Sequence, residues 1–237
     1  MHVNKLTIHH EKYPEESIYP FNLINLRNTG EVRFSSNVTF FVGENGSGKS
    51  TLIEALARRA NIHIWQGFTR SRYKRSKFED SLYHFISLEW NDGLVPGAFF
   101  ASEIFRNFSQ LLDEWASTDP GVLEYFGGKS LLTQSHGQSH MAFFENRFKL
   151  PGVFLLDEPE TALSPKTQIE FLNILSRANK QAQFIIATHS PILLSLEGAG
   201  IISFGHTPLT ELAYRNTSHF ETYWTFFKQQ EKILTTG

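Results

Sequence analysis

Residues 43–51 contain a phosphate-binding loop of the form Gly-x-x-x-x-Gly-Lys-Ser, and this loop constrains the fold more than any other feature of the sequence. It follows the apolar run Val38–Val42 and precedes a segment with apolar residues at helical spacing. The order of strand, glycine-rich turn and helix lets successive backbone N–H groups surround a phosphate at a helix N-terminus. The pattern predicts a nucleotide site where Lys49 reaches the β- and γ-phosphates and Ser50 binds Mg²⁺.

A second apolar run, Val153–Leu156, ends in the adjacent carboxylates of Asp157 and Glu158. ATP hydrolysis at such a site needs one acid on Mg²⁺, which suits Asp157, and another that orients water, which suits Glu158. A third run, Phe184–Ala187, is followed by His189. This histidine would lie beside the γ-phosphate if the two strands are neighbours in a parallel sheet, although a lone histidine at a strand end is more often structural.

Two further segments complete a set of five motifs, Ser-His-Gly-Gln at 135–138 and Ala-Leu-Ser-Pro at 162–165. In this order the motifs resemble those of the ATP-binding-cassette (ABC) ATPase superfamily. By that resemblance 43–51 is similar to Walker A, and Val153–Glu158 to Walker B with the catalytic glutamate. The segment at 135–138 is similar to the signature and the segment at 162–165 to the D-loop. His189 is similar to the switch histidine.

The signature departs from the transporter pattern at His136, where transporters usually carry glycine, and at Gln134, where they usually carry leucine. These departures resemble the soluble, non-transporter branches. In particular, the chain is similar to stand-alone bacterial ATPases that are called AAA-family although their motifs are of the cassette type. Some of those relatives act in DNA repair or in anti-phage defence beside a separate effector protein.

The resemblance implies a head-to-tail homodimer with two ATP molecules and Mg²⁺ at its interface. The expected ATP ligands within one subunit are Glu44, Asn45, Gly46, Ser47, Gly48, Lys49, Ser50 and Thr51. The partner's ATP would be bound in trans by Ser135, Gly137 and Gln138.

The expected catalytic residues are Glu158, His189 and Lys49, and the expected Mg²⁺ ligands are Ser50 and Asp157. The family also has a glutamine that couples Mg²⁺ to the helical lobe. Both Gln66 and Glu103 are candidates for that position, and Glu103 is favoured because it lies nearer to the expected end of a strand.

The resemblance also implies an aromatic residue upstream of the phosphate loop that stacks on adenine. Four residues qualify, and core packing explains each of them equally well: Tyr13, Tyr19, Phe21 and Phe34.

We expect an α/β P-loop fold with a mainly parallel sheet, N-terminal antiparallel strands and a small helical lobe. The whole chain, 1–237, is interpreted as one domain, with 1–61 and 150–237 as the nucleotide-binding core and about 62–149 as the lobe. Strands are predicted at Leu6–Ile8, Leu23–Leu26 and Leu82–Trp90. Helices are predicted at Pro165–Arg177, with Ser164 as N-cap, and from the signature through Phe148. No sustained heptads occur between Walker A and Walker B, so the long coiled-coil arm of chromosome-maintenance ATPases is excluded.

Composition adds few constraints. The chain has no cysteine, no apolar run of about 18 residues and no signal-peptide pattern, so we expect a cytoplasmic protein that does not insert in membranes. A net charge of −2 gives no general reason to expect nucleic acid. One basic cluster with aromatic neighbours suits a DNA backbone, although such runs are more often solvated loops. Its basic residues are Arg70, Arg72, Lys74, Arg75 and Lys77, and its aromatic neighbours are Tyr73 and Phe78.

The function predicted is Mg²⁺-dependent ATP hydrolysis that regulates a partner through the dimer cycle. Two alternatives stay open from the sequence. The chain is compatible in size with the nucleotide-binding subunit of an ABC transporter, which would need transmembrane helices from another chain. It is also compatible with a nucleotide-gated scaffold without significant turnover, although Glu158 argues against that.

Overall fold

The computed structural model describes residues 1–65, 76–91 and 93–236, with side chains of the last helix described up to residue 231. The strands are β1 (Val3–Ile8), β2 (Glu31–Arg33), β3 (Val38–Val42), β4 (Ile86–Trp90), β5 (Gly97–Ala101), β6 (Gly152–Asp157), β7 (Ala182–Ala187), β8 (Gly200–Ser203) and β9 (Thr210–Glu211). The α-helices are α1 (Ile24–Arg27), α2 (Lys49–Arg59), α3 (Phe105–Ala116), α4 (His136–Arg147), α5 (Pro165–Arg177), α6 (Pro191–Leu194) and α7 (Ser218–Thr236). Short 3-10 helices occupy His10–Lys12, Leu82–Phe85, Pro120–Phe126, Leu131–Thr133 and Tyr214–Asn216.

The described strands form two sheets. One is antiparallel with the order β2-β1-β4, and the other has the order β5-β6-β7-β3-β8-β9. In the second sheet all neighbouring pairs are parallel except β8 and β9. The predicted α/β fold with a mainly parallel sheet and N-terminal antiparallel strands is confirmed. Parallel strands place their carboxyl ends at one edge, so the segments after β3, β5, β6 and β7 meet there.

Apolar residues cover both faces of the large sheet. On β6, Val153 and Leu155 pack in the cluster that contains α2 and the antiparallel sheet, whereas Phe154 and Leu156 pack on the opposite face. That second face is covered by phenylalanines of α3, α4 and α5. A strand buried on both faces needs a continuous apolar run, which explains why the Walker B strand lacks alternation.

Two helices begin where the sequence predicts. Helix α5 spans the predicted range, with Ser164 as N-cap and Pro165 in its first turn. Helix α4 starts after Ser135, whose side chain accepts the backbone N–H of Gln138. The segment that was interpreted as the lobe contains α3 and α4, but it also contains β4 and β5, which belong to the two sheets.

Two strand predictions need correction. Leu23–Leu26 was predicted as a strand, but Ile24–Arg27 forms the short helix α1. An apolar run this short has no distinguishing period, and the side chain of Leu23 packs against the phosphate loop at Gly48. The strand predicted at Leu82–Trp90 begins only at Ile86, after a 3-10 turn.

Most of the basic cluster lies outside the described residues, as do Gln66 and Tyr73. Of its described members, Lys77 lies 4.8 Å above the ring of Phe78. That ring in turn contacts Phe21, with 5.5 Å between ring centroids, so it packs against the core.

Among the described residues, no helix combines the length and the apolar character needed to cross a bilayer.

Candidate functional site

The loop between β3 and α2 has the backbone geometry that phosphate binding requires. Gly46 and Gly48 have φ angles of +78° and +102°, a left-handed conformation that residues with a Cβ rarely adopt. A Cβ on Gly43 would lie 2.8 Å from the Cβ of Phe204, so the loop passes very close to the end of β8. The backbone N–H groups at the start of α2 can therefore approach an anion closely.

Lys49, the first residue of α2, is only 4% exposed. Its ammonium donates hydrogen bonds to the carbonyl oxygens of Gly43 at 2.7 Å and Glu44 at 3.0 Å. Burial lowers the pKa of Lys49, and the carboxylates of Glu158 and Asp157 oppose that shift. The charge is thus held inside the loop by carbonyl oxygens, which phosphate oxygens can replace.

Ser50 and Asp157 form the contact between the phosphate loop and the end of β6. The hydroxyl of Ser50 donates to Oδ1 of Asp157 at 3.1 Å. Burial raises the pKa of Asp157 to about 7, and the hydrogen bond from Ser50 opposes this shift. A hydroxyl and a buried carboxylate are oxygen donors of the kind that Mg²⁺ prefers, so this pair fits a magnesium ion.

Glu158 follows β6 directly and has an unusual backbone with φ of +48°. Its N–H donates to the carbonyl of Ala187 at 3.0 Å, and its carbonyl accepts the hydroxyl of Ser102 at 2.9 Å. These contacts on both sides hold the strained conformation in place. The side chain is 41% exposed and lines the same cleft as Lys49, so a water molecule can reach the carboxylate.

His189 lies two residues beyond β7, and β7 pairs with β6 so that Ala187 faces Asp157. The predicted neighbourhood of these two strands is therefore confirmed. Nε2 of His189 lies 3.7 Å from Oε1 of Glu158. Burial lowers the pKa of His189, as does the charge of Lys49, so the imidazole is neutral near pH 7.

Two residues that the sequence did not single out also contact His189. Its backbone N–H donates to Oε1 of Glu160 at 2.7 Å, and its Nδ1 lies 3.4 Å from Nε2 of His219 at the start of α7. A third acid close behind Asp157 and Glu158 was a visible signal for Glu160. His219 had no local signal, because only the fold brings the C-terminal helix to the switch histidine.

Glu103 lies two residues beyond β5, whose last residue, Ala101, is paired with Asp157. The side chain is exposed and lines the cleft of the phosphate loop. The fold thus brings Glu103 to the sheet edge where the sequence predicted it, whereas Gln66 lies outside the described residues.

The signature segment presents the exposed start of α4 to the same cleft. Ser135 and Gln138 form a reciprocal capping box, with backbone-to-side-chain distances of 3.3 Å and 3.1 Å. The Ser135 hydroxyl acts there as an acceptor, so its O–H remains available to a phosphate oxygen. A Cβ on Gly137 would lie 2.9 Å from the carbonyl of Ala162, so this glycine allows the helix to approach the D-loop.

Four aromatic residues upstream of the phosphate loop were candidates for stacking on adenine. Phe21 and Phe34 are buried in the core, and Tyr13 packs on Phe21 with ring centroids 4.5 Å apart. Tyr19 lines the cleft, and its hydroxyl lies 2.9 Å from that of Thr51. Of the four, Tyr19 is thus the one that the fold brings to the nucleotide side.

His136 and His140 are four residues apart on α4, a spacing that allows a shared metal ion. His136 is exposed, but His140 is only 3% exposed and its ring contacts Phe100 and Phe105 edge-on. Among the described residues no group of three or more metal-binding side chains occurs. His140 is better explained as a core residue of the helical lobe.

Most of the predicted site residues line one open cleft of about 1620 Å³ at the carboxyl edge of the large sheet. His189 is not part of this lining, but it lies 3.7 Å from Glu158, which is. Its walls include the phosphate loop, the Walker B acids and the start of α4 from a single chain. A glycine-rich loop at a helix N-terminus, beside a hydroxyl–carboxylate pair on a mainly parallel sheet, is the arrangement of a P-loop nucleotide-binding protein.

Two models of protein families match parts of this chain. One for "AAA domain, putative AbiEii toxin, Type IV TA system" matches residues 140–195, and one for "AAA domain" matches residues 20–58. The first match covers Walker B and the switch histidine, and the second covers the phosphate loop. In these two segments the chain is therefore similar to P-loop ATPases of the ABC/AAA type.

Proteins with similar sequences are named as ATP-binding proteins of transport systems. The chain is 26% identical to the ferric enterobactin transport ATP-binding protein FepC of Escherichia coli (strain K12) over 63% of its own length and 60% of that protein. It is also 26% identical to the phosphate import ATP-binding protein PstB 2 of Streptococcus pneumoniae (strain ATCC BAA-255 / R6), over 68% of each chain. The match thus spans less than two thirds of FepC.

One solved structure shows the same fold. The SMC head bound to the C-winged helix domain of ScpA is similar with a TM-score of 0.50 and 13% identity, over 90% of this chain and 98% of that chain. At this identity the similarity concerns the fold alone.

Proposed function

We propose that this chain hydrolyses ATP with Mg²⁺ and that ATP binding joins two copies head to tail, so that the cycle regulates a separate partner. The observation that carries the proposal is the meeting of Ser50 and Asp157 at 3.1 Å beside the 3.7 Å approach of Glu158 and His189. Three motifs far apart in sequence supply these four groups to a single edge of the sheet, with Asp157 and Glu158 both from Walker B.

Binding of the triphosphate is assigned to the phosphate loop. The backbone from Glu44 to Thr51 surrounds the phosphates, and the Lys49 ammonium moves from its loop carbonyls to the β- and γ-phosphate oxygens. Ser50 and Asp157 would hold Mg²⁺, which neutralises charge that develops on the phosphates, and Glu103 faces the same edge. Tyr19 lines the same cleft, with its hydroxyl 2.9 Å from that of Thr51, and would contact the nucleotide there.

Hydrolysis is assigned to Glu158 and His189. The exposed carboxylate of Glu158 accepts a hydrogen bond from the attacking water and orients it toward the γ-phosphate. The neutral imidazole of His189 donates from Nε2 to a γ-phosphate oxygen, and Lys49 stabilises the same charge.

The dimer is assigned through the signature helix. Ser135, Gly137 and Gln138 lie at the N-terminus of α4, where backbone N–H groups and the helix dipole favour an anion. In the proposed dimer this end of one copy closes on the γ-phosphate that the other copy holds. Each site is then complete only when both copies are present.

The test compares wild type with Glu158→Gln by light scattering, with and without Mg-ATP, alongside phosphate release. We expect wild type to release phosphate and the variant to form a stable dimer only with Mg-ATP, because binding is kept and water activation is lost. ATP binding without dimer formation in the variant would contradict the head-to-tail arrangement. ATP binding without turnover in wild type would instead favour the nucleotide-gated scaffold.

The partner is proposed to be a separate effector protein in the cytoplasm, in a process such as DNA repair or anti-phage defence. The toxin system in the description of one matching family supports a role in defence. DNA itself is a partner to test through the basic cluster. Changing Arg70, Arg72, Lys74, Arg75 and Lys77 to serine should weaken DNA binding if the cluster contacts DNA, and unchanged affinity would exclude that contact.

The second candidate function is the nucleotide-binding subunit of a membrane transporter, and the names of the matched relatives favour it. The two functions differ in where the chain is found. A transporter subunit would fractionate with membranes and be released when its membrane partner is deleted. A chain that stays in the cytoplasmic fraction during active ATP turnover would argue against this alternative.

A further inference from the structure

His189 is held in place by two side chains that lie outside the nucleotide-binding motifs. We propose that Glu160 and His219 are positioning residues for His189: the carboxylate of Glu160 fixes its main chain, and the ring of His219 fixes the orientation and tautomer of its imidazole. This inference rests on the proposed function, in which His189 donates a hydrogen bond to the γ-phosphate.

Glu160 acts on the main chain of the switch loop. Its Oε1 accepts the backbone N–H of His189 at 2.7 Å, which is within the short range expected when the acceptor is a carboxylate. The other oxygen, Oε2, is buried. Glu158 lines the nucleotide cleft but Glu160 does not, so the two acids face different surroundings. Glu160 is therefore placed to fasten the loop after β7 to the turn after β6, and not to activate water.

His219 acts on the imidazole ring. Its Nε2 lies 3.4 Å from Nδ1 of His189, and the ring centroids are 5.6 Å apart. On the other side of the switch ring, Nε2 lies 3.7 Å from Oε1 of Glu158. The His189 ring is thus placed between one nitrogen from the C-terminal helix and the catalytic carboxylate.

The protonation states of His189 and His219 determine which ring donates the hydrogen bond between them. Burial lowers the pKa of both histidines, and the charge of Lys49 also lowers both, while Glu158 and Glu44 oppose the shift at His189. Two neutral rings can share only one proton across the facing nitrogens. When His219 donates from Nε2, His189 accepts at Nδ1 and carries its own proton on Nε2, the nitrogen that faces Glu158. That is the tautomer which can donate to a phosphate oxygen.

Substitutions of Glu160 and His219 by glutamine or by leucine distinguish a positioning role from other roles. Glu160→Gln keeps an oxygen that accepts the N–H of His189, and His219→Gln keeps an N–H that donates to its ring. Glu160→Leu and His219→Leu remove these groups. We expect kcat for ATP hydrolysis to fall by at least roughly tenfold in both leucine variants, while KM for ATP changes less than about threefold. Both glutamine variants should recover most of the lost rate.

A second measurement reads the tautomer directly. In protein with ¹⁵N-labelled histidine, the ring nitrogens of His189 should show a proton on Nε2 in wild type and His219→Gln. In His219→Leu the tautomers should become mixed. An unchanged tautomer in His219→Leu would overturn the role of His219.

The controls separate failure of this inference from failure of the proposed function. Glu170→Leu, on the exposed face of α5, should behave as wild type, and unfolding temperatures check the fold of every variant.

If wild type has no turnover, or Glu158→Gln retains it, the proposed function fails. If those two behave as expected but the leucine variants hydrolyse ATP at the wild-type rate, the positioning role is overturned. If Glu160→Gln is as inactive as Glu158→Gln, Glu160 acts through its charge, which also overturns it. If Glu160→Leu does not fold, half-buried His219 still decides the outcome.

Discussion

Lys49 and Asp157 are oppositely charged groups that the fold has moved out of water at the same site. Burial lowers the pKa of Lys49 and raises that of Asp157 to about 7, so folding alone disfavours the charged form of both groups. A triphosphate would favour the charged ammonium, and a magnesium ion would favour the ionised carboxylate. In the proposed function, nucleotide and metal would therefore restore charges that folding alone makes unfavourable, which is an electrostatic reason to expect that they bind together.

The buried imidazole of His140 should make stability depend on pH. Burial lowers its pKa to about 4, mainly because the charged ring would lose its water among phenylalanines. The unfolded chain takes up a proton near pH 6.5 and the folded chain only near 4, so stability is complete above pH 6.5 and is lost as pH falls toward 4.

The matched variant is His140→Phe. We expect the difference in unfolding free energy between wild type and His140→Phe to change by roughly 3 kcal/mol between pH 7 and pH 4, with wild type losing more. Urea denaturation at several pH values measures this. The same experiment on the exposed His84→Gln should show little change. Parallel pH curves for wild type and His140→Phe would contradict the buried neutral state.

Replacing Gly48 by alanine should weaken nucleotide binding by more than its effect on the stability of the fold explains. Gly48→Ala and Gly128→Ala both place a Cβ on a residue with positive φ, at +102° and +75°. Each should lose about 1 kcal/mol of stability. Only Gly48 lies in the phosphate loop, where the new Cβ would also meet Leu23 at 3.1 Å.

We therefore expect Gly48→Ala to lower ATP affinity by at least roughly tenfold and Gly128→Ala to leave it unchanged. Isothermal titration with an ATP analogue that is not hydrolysed measures both. Equal losses of affinity in the two variants would show that the effect comes from general destabilisation and not from the loop.

The strands and helices that carry the site were predictable because each has a local signal. Buried parallel strands need continuous apolar runs, as at Phe184–Ala187, and α5 has both Ser164 and Pro165 to mark its start. Helix α1 gave no such signal, since its position depends on packing against the phosphate loop. His219 was not predictable for the same kind of reason: its contact with His189 joins residues 30 positions apart through the fold.

Helix α4 offers a test in which capping and phosphate binding can be separated. Ser135→Asn and Ser135→Asp both keep an N-cap, whereas Ser135→Ala should lose about 1 kcal/mol. Aspartate adds a negative charge where the proposed dimer places the partner's γ-phosphate.

In the Glu158→Gln background, we expect Ser135→Asp to abolish the Mg-ATP dimer while its unfolding temperature stays near that of Ser135→Asn. Ser135→Asn should still dimerise, because its amide can donate to phosphate. Light scattering and thermal unfolding report the two properties separately. A stable dimer in Ser135→Asp would show that the signature helix does not meet phosphate in trans.

The phosphate loop, the Walker B acids and the start of α4 line the cleft, which is open in a single copy. In the proposed dimer, association of two copies would close it. Association makes stability depend on protein concentration, because unfolding then also separates two chains. For Glu158→Gln with Mg-ATP, a tenfold rise in protein concentration should raise the unfolding temperature by roughly 2 °C for a chain of this size. With ADP, or with ATP and no Mg²⁺, the unfolding temperature should not depend on protein concentration. The same result with Mg-ATP would mean that one chain alone holds the nucleotide, and that a partner of another kind completes the site.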